Sequence, residues 1–329
     1  ETGIMTNEGE LVSKMISGPP AESSIGMYIE NTKEISPNML EFSNMLSQGV
    51  NKNKIDLGNK GIGIFGENSY IWNDTSGVIN IKNEGAGLYA TIGSVIENKG
   101  IINIGENSVG MYATDRIGSP SYTGLTKENY LTNSGTIVSA GNNTVGISST
   151  GVEPTKRSEI TNNGRIELSG INTTGIYGKK TNITNTGDIT AGNGSDNGGV
   201  IEYAAGIIGD ESIIKIQGGQ IQTGNYSIGA AAVGNSVLEI TGGNISVGEN
   251  SIFNYIKKGT GTGISLTDTS GGTYDLNKNK QIGIFSEEGD VISNKTLEVR
   301  NGTDSIGVYA QNNSAVNMSV QGLTVNVES

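Results

Sequence analysis

The 329-residue chain has no cysteine, no histidine and five prolines; aromatic residues make up 5% of it, charged residues 16%, and no basic run offsets a net charge of −12. Each shortage excludes something. Without Cys there are no disulfide scaffolds, thiol nucleophiles or thiolate zinc sites, and without His no Ser-His-Asp triad and almost no zinc or copper enzyme. Any catalysis would run on carboxylates, Lys, Tyr or Ser. The acidic balance argues against a nucleic acid or anionic membrane as partner, because phosphate recognition rests on clustered positive charge. Apolar runs are too short to span a bilayer, no signal peptide is present, and Glu1-Thr2-Gly3 is read as a vector-derived scar.

What the chain does have is Gly, 51 residues of it, with Asn, Ser, Thr and Ile. There is no Gly-X-Y period, so the composition is not collagen-like; it suits many short strands joined by tight turns. Two anchors recur. One is small or apolar, Gly, apolar, then often aromatic, as in Ile62-Gly63-Ile64-Phe65, Ala86-Gly87-Leu88-Tyr89 and Val109-Gly110-Met111-Tyr112. The other is Gly-x-Ile, as in Gly77/Ile79, Gly100/Ile102, Gly135/Ile137 and Gly164/Ile166. Together they define a unit of about 23 residues, a period that signals a repeat architecture. Ile79/Ile81, Ile102/Ile104 and Ile166/Leu168 alternate with polar residues at the period of a strand, and a third strand precedes each Gly-x-Ile.

Three short strands cannot bury their own apolar face, but stacked coils can. The expected fold is therefore all-β: a parallel, right-handed β-helix over residues 4–329, with about three strands per coil. Asn98, Asn133, Asn162 and Asn185 share one register position, taken over by Ile216 and Ile240, and stacked amides explain that run structurally. The residues flanking the first-anchor Gly are expected inside. Tyr28, Phe65, Tyr89, Tyr112, Tyr177, Phe285 and Tyr309 then form a broken outer column.

Departures from a solenoid repeat emerge as loops and are the places to seek a site. Insertions are expected near residues 31–55, 115–130, 151–158, 192–200 and 257–270. Within the first, Ser36 as N-cap, Pro37, an apolar Met39/Phe42/Met45/Leu46 face and Gly49 as stop predict a short helix over 37–48. The second concentrates Arg116, Tyr122, Lys127 and Tyr130 in an otherwise acidic chain, which is interface composition, and Lys156 and Arg157 lie in the third. Because both insertions fall in the same half-coil, they are expected on one side. Trp72, the only Trp, is read as corner packing first and a contact residue second. Glu67, Asp74, Glu84, Glu97 and Glu106 are too scattered to mark a glycosidase or lyase, and no residues are assigned to catalysis, a metal or a cofactor.

Units such as Asn98-Lys99-Gly100-Ile101-Ile102 followed by Asn107-Ser108-Val109-Gly110-Met111-Tyr112 resemble the passenger repeats of large bacterial autotransporters, above all fusobacterial surface adhesins. The resemblance covers roughly residues 55–320. It implies a fragment of a longer type V secreted passenger at the bacterial surface, anchored through a C-terminal outer-membrane barrel. It further implies binding to a host cell-surface receptor protein (an immune receptor being one kind), to a glycan, or to other bacteria. The function expected is thus a non-catalytic adhesin whose inserted loops bind a receptor through Arg116, Tyr122, Lys127, Tyr130, Lys156, Arg157 and Trp72. The alternatives are a glycan-binding β-helix, a spacer and, last, a polysaccharide-degrading enzyme.

Overall fold

The structure is a computed structural model that describes residues 4–12, 24–30, 47–91, 93–114, 129–153, 157–259, 263–300, 302–312 and 325–327. Two compact units, Glu1–Leu168 and Ser169–Ser329, are considered in turn. Both are parallel β-solenoids, and the described residues contain no helix.

In the first unit each coil contributes three strands. A representative coil runs through Val95–Asn98, Ile101–Ile104 and Val109–Thr114, here called the asparagine, Gly-x-Ile and glycine strands. Each pairs in parallel with its equivalents in the coils before and after: Asn73, Asn98 and Asn133 are in register, as are Ile79, Ile102 and Ile137, and Leu88, Met111 and Ile147. The inward residues are fully buried, and Ile71, Ile96, Leu131 and Ile160 form one of several aliphatic ladders.

The anchors have local physical causes. In the turn leading into each glycine strand one residue adopts a left-handed backbone: Glu84, Asn107 and Asn143, with φ of 53–59°. Asn tolerates that conformation best among residues with a side chain. Ser108 and Thr144, which follow Asn107 and Asn143, are buried, and the Ser108 hydroxyl accepts the amide of Gly85, which follows Glu84, at 3.1 Å. This accounts for the recurring Asn-Ser-x-Gly. The Gly is required because the strand passes so close to its neighbours: a Cβ on Gly87 would meet Ile102 Cγ2 at 2.5 Å and the Gly110 carbonyl at 2.6 Å.

The second unit begins with the same scheme in Thr174–Lys179, Thr181–Asn185 and Asp188–Ala191, then departs from it. Two coils fuse their asparagine and Gly-x-Ile strands into Ile213–Thr223 and Val237–Ser246. Farther on the strands separate again, as Ser265–Asp268 and Thr273–Leu276. At the Gly position of the first anchor stands Phe253, buried, with its ring 5.0 Å from the inward ring of Tyr274.

Several expectations change. The helix expected over 37–48 falls outside the described residues except at its end, where Ser47 and Gln48 belong to the strand Ser47–Asn51. The first insertion is thereby confined to 31–46. Tyr130, Ser158, Lys257 and Lys258 are likewise strand residues, not loop. Of the residues flanking the first-anchor Gly, the following one is buried in every described repeat but the last, where Val308 is partly exposed. The preceding one is buried at Ala86, Ala205 and Ile252 and partly exposed elsewhere, Ile25 and Ile306 most of all, because the chain has only just left the corner there.

Candidate functional site

Around each coil the chain turns from glycine strand to asparagine strand at one corner. Without an insertion that corner is minimal and closed by a left-handed residue, Asn68 (φ 49°) or Gly93 (φ 61°), and the Asn68 amide reaches the Thr91 carbonyl of the next coil at 3.2 Å. In the first unit residues 31–46, 115–128 and 154–156 all fall between a glycine strand and the following asparagine strand. Three insertions thus connect strands across one corner, and the two in consecutive coils are those that the spacing had put in the same half-coil.

The outward side of the asparagine strands adjoins that corner. Successive outward positions of a strand point the same way, so Tyr70 and Trp72 lie side by side, ring centroids 4.7 Å apart. Tyr70 donates its hydroxyl to Glu97 Oε2 at 2.5 Å, and Lys99 Nζ reaches the same carboxylate at 2.9 Å. Half-burial, then the hydrogen bond to Glu97 and its charge, hold the Tyr70 phenol well above its usual pKa, so it stays a donor. Tyr130 lies in Tyr70's column one coil beyond Val95, and Glu159 follows it. Arg157 directly precedes Ser158–Asn162, the strand that carries Glu159. The structure therefore gathers Trp72, Tyr130 and Arg157 around one face. Trp72 is the fourth residue of the strand Ser69–Asn73 and points outward from it, so it packs on the sheet face and not in a corner. Arg116, Tyr122, Lys127 and Lys156 lie outside the described residues. Tyr70 and Glu97 were missed as contributors, although the i, i+2 spacing of Tyr70 and Trp72 on a strand would have found the pair.

The outer aromatic column exists in two pieces. In the first unit Tyr28, Phe65, Tyr89 and Tyr112 follow one another at centroid spacings of 5.0–5.2 Å; in the second, Tyr255, Phe285 and Tyr309 do so at 5.1–5.2 Å. Most ring faces are turned to neighbouring rings, which leaves edges outward and little face for a sugar to stack upon. At its far end Tyr112 gives onto the small Ser148, beside the insertion corner. Tyr177 has Ile208 as its neighbour and lies outside both pieces.

The five carboxylates weighed for catalysis are spread around the coil. Glu67 ends a glycine strand, Asp74 lies in the turn after an asparagine strand, Glu97 is engaged by Tyr70 and Lys99, and Glu84 and Glu106 stack at the corner before the glycine strands. Elsewhere on the first unit, Asp56, Asn80, Lys82 and Asn103 line an open groove of about 520 Å³ with Leu57, Ile81 and Ile104. Asn103 donates to Asn80 Oδ1 at 2.7 Å within it. Among the described residues no three carboxylates converge as a metal site. Searches of protein-family models, curated proteins and solved structures found no match to this chain.

Proposed function

We propose that this chain is a non-catalytic adhesin fragment, displayed at a bacterial surface, that binds a host cell-surface receptor protein through the insertion corner of its first unit. The observation that carries the reading is the departure of residues 31–46, 115–128 and 154–156 from one corner, next to an outward face bearing Tyr70, Trp72 and Tyr130. A regular solenoid has no structural need to collect its irregularities on one edge. Aromatic rings beside a charged pair are also the composition of energetically dominant contacts.

The test is binding of the chain to an array of receptor ectodomains, with a variant in which 116–129 is replaced by a short Gly-Ser linker. Loss of at least tenfold in affinity is expected, and W72A should cost a similar factor. Full retention in both variants would remove the corner as the site. The groove at Asp56, Asn80 and Asn103 supports glycan binding as the second reading, with amides set to hydrogen-bond hydroxyls along the solenoid. A glycan-array hit lost in N80A/N103A, with no ectodomain bound, would favour it.

A further inference from the structure

The insertion expected at residues 192–200 leaves from a different corner, between the Gly-x-Ile strand Asp188–Ala191 and the glycine strand Ala204–Asp210. It is an ordered antiparallel hairpin in which Ser195 faces Glu202 and Asp196 faces Ile201. Its turn is closed by the Asn197 amide on the Val200 carbonyl at 3.0 Å and the Gly199 amide on Asp196 Oδ1 at 2.8 Å. Gly198 and Gly199 supply the positive φ, 69° and 98°, that the turn needs. Its base is clamped: the Gly194 amide donates to the Asn225 carbonyl at 2.8 Å, and a Cβ on Gly194 would strike the Tyr226 and Glu202 carbonyls. Asn172 donates to Glu202 Oε2 at 2.7 Å.

The carboxylates of this hairpin are exposed but held by bonds to its own turn and coil, and its apolar side chains are presented to solvent beside them. Val200, Ile201 and Tyr203, with Ile171 on the adjoining corner, are 40–67% exposed. A rigid apolar tip loses little conformational entropy on docking, and contiguous exposed hydrophobic side chains mark interaction sites. The charges of the hairpin itself are acidic, Asp196 and Glu202, with Asp188 opening the strand before it, and no Lys or Arg occurs in sequence between Lys180 and Lys215; Asp210, at the far end of the following strand, is paired with Lys179 at 2.9 Å. The first basic residues met farther along this corner are Lys278 and Lys280, and Lys278 Nζ is engaged by the Val247 carbonyl at 3.0 Å.

We infer that this hairpin is a second docking site, whose Val200-Ile201 tip and Tyr203 enter an apolar pocket rimmed by Lys or Arg on a protein partner. The inference rests on the receptor reading and adds the chemistry of the surface recognised. The acidic surround selects against a second copy of the same chain, which would set like charges against each other.

The test uses the whole chain against the immobilised ectodomain array, with V200S/I201S and the 116–129 replacement run in parallel. V200S/I201S is exposed and leaves every hydrogen bond of the turn in place, so its melting temperature should match that of the parent. The expected result is an ectodomain whose affinity falls about tenfold in V200S/I201S and weakens as NaCl rises from about 50 to 500 mM, as an acidic surface on a basic one requires. Binding that is lost with the 116–129 replacement but untouched by V200S/I201S would overturn the hairpin site and leave the receptor reading standing. An array without any protein hit would overturn both. Concentration-dependent dimerisation abolished by V200S/I201S would show the hairpin to be a self-association surface and overturn the inference.

Discussion

One interior position is filled uniformly in the first unit and variously in the second. In the first unit it holds Asn7, Asn51, Asn73, Asn98, Asn133 and Asn162, each Nδ2 donating to the next Oδ1 at 2.7–3.0 Å. In the second it holds Asn185, Ile216, Ile240, Asp268 and Ser293. The backbone follows the side chain. Asn51 and Asn73 also bond the turn that follows their strand, Asn51 Nδ2 to the Asn53 carbonyl at 3.0 Å and Asn73 Nδ2 to the Gly77 carbonyl at 3.1 Å, and in this unit the asparagine and Gly-x-Ile strands are separate. Where Ile replaces Asn the side chain offers that turn no bond of its own, the two strands fuse, and Gly219 and Gly243, with φ of 74° and 83°, absorb the bend. At Asp268 the side chain again accepts a turn amide, from Ser270 at 3.1 Å, and the strands separate once more. A side chain able to bond its own turn decides whether a corner or a bulge forms.

The Asp268 coil is the sharpest place to break this comparison. Its buried carboxylate accepts Tyr274 Oη at 2.6 Å and Ser270 Oγ at 2.7 Å; Tyr274 Oη accepts Asn254 Nδ2 at 2.8 Å, and Lys295 Nζ lies 4.8 Å from the Tyr274 ring centroid. Asp268→Ala strands a buried phenol and removes the charge opposite Lys295, a loss of about 3–5 kcal/mol. Asp268→Asn keeps the turn bond and should cost about 1–2 kcal/mol. Urea unfolding of the two variants measures the gap, and equal losses would show that the turn bond contributes nothing.

Exchanging the two fillings comes next. Ile240→Asn places an amide between Ile216 and Asp268 and should cost about 3 kcal/mol, whereas Asn98→Ile, which leaves the Asn133 Oδ1 without its donor, should cost about 2 kcal/mol. Urea midpoints compare the two directly, and a neutral Asn98→Ile would mean that the ladder amides give no net stability.

The smallest expected effect is on pH dependence. Burial raises the phenol pKa of Tyr89 and Tyr177 in the two units, and of Tyr274 most strongly. Such a phenol keeps its proton in the folded state after the unfolded chain has lost it, so its contribution holds below pH 10.0 and drains away above it. Lys295 has the opposite sign: burial lowers its pKa, so the folded state gains between that value and 10.5. With several phenols against one amine, the melting temperature should fall from about pH 10 upward, less steeply in Tyr274→Phe. A flat profile to pH 11 would contradict the assignment.

The repeat carried most of the fold because each coil solves the same problem with the same residues. Gly87, Asn107 and Ile102 occupy positions where crowding, a left-handed turn and the apolar interior leave few choices, so their spacing could be read directly. The candidate site was less legible. Trp72 was read as a corner residue because the strand Ser69–Asn73 is short and its outward partner Tyr70 gained meaning only beside Glu97, 27 residues from it. At 192–200 composition flagged an insertion but not a hairpin, because which of its side chains meet solvent depends on the bonds of Glu202 and Asp196.

By itself, then, the amino-acid sequence determined the coil length, the strand count per coil, the inward ladders and the fact that two insertions share a half-coil, since periodicity follows from local sterics and alternation. Only the tertiary structure decided that Trp72 and Tyr130 share a face, that aromatic rings turn their faces to one another, that Asp268 is held by Tyr274, and that Val200 and Ile201 are presented outward. Those outcomes depend on which residues of successive coils are brought within a few ångströms of one another, and no single coil contains that information.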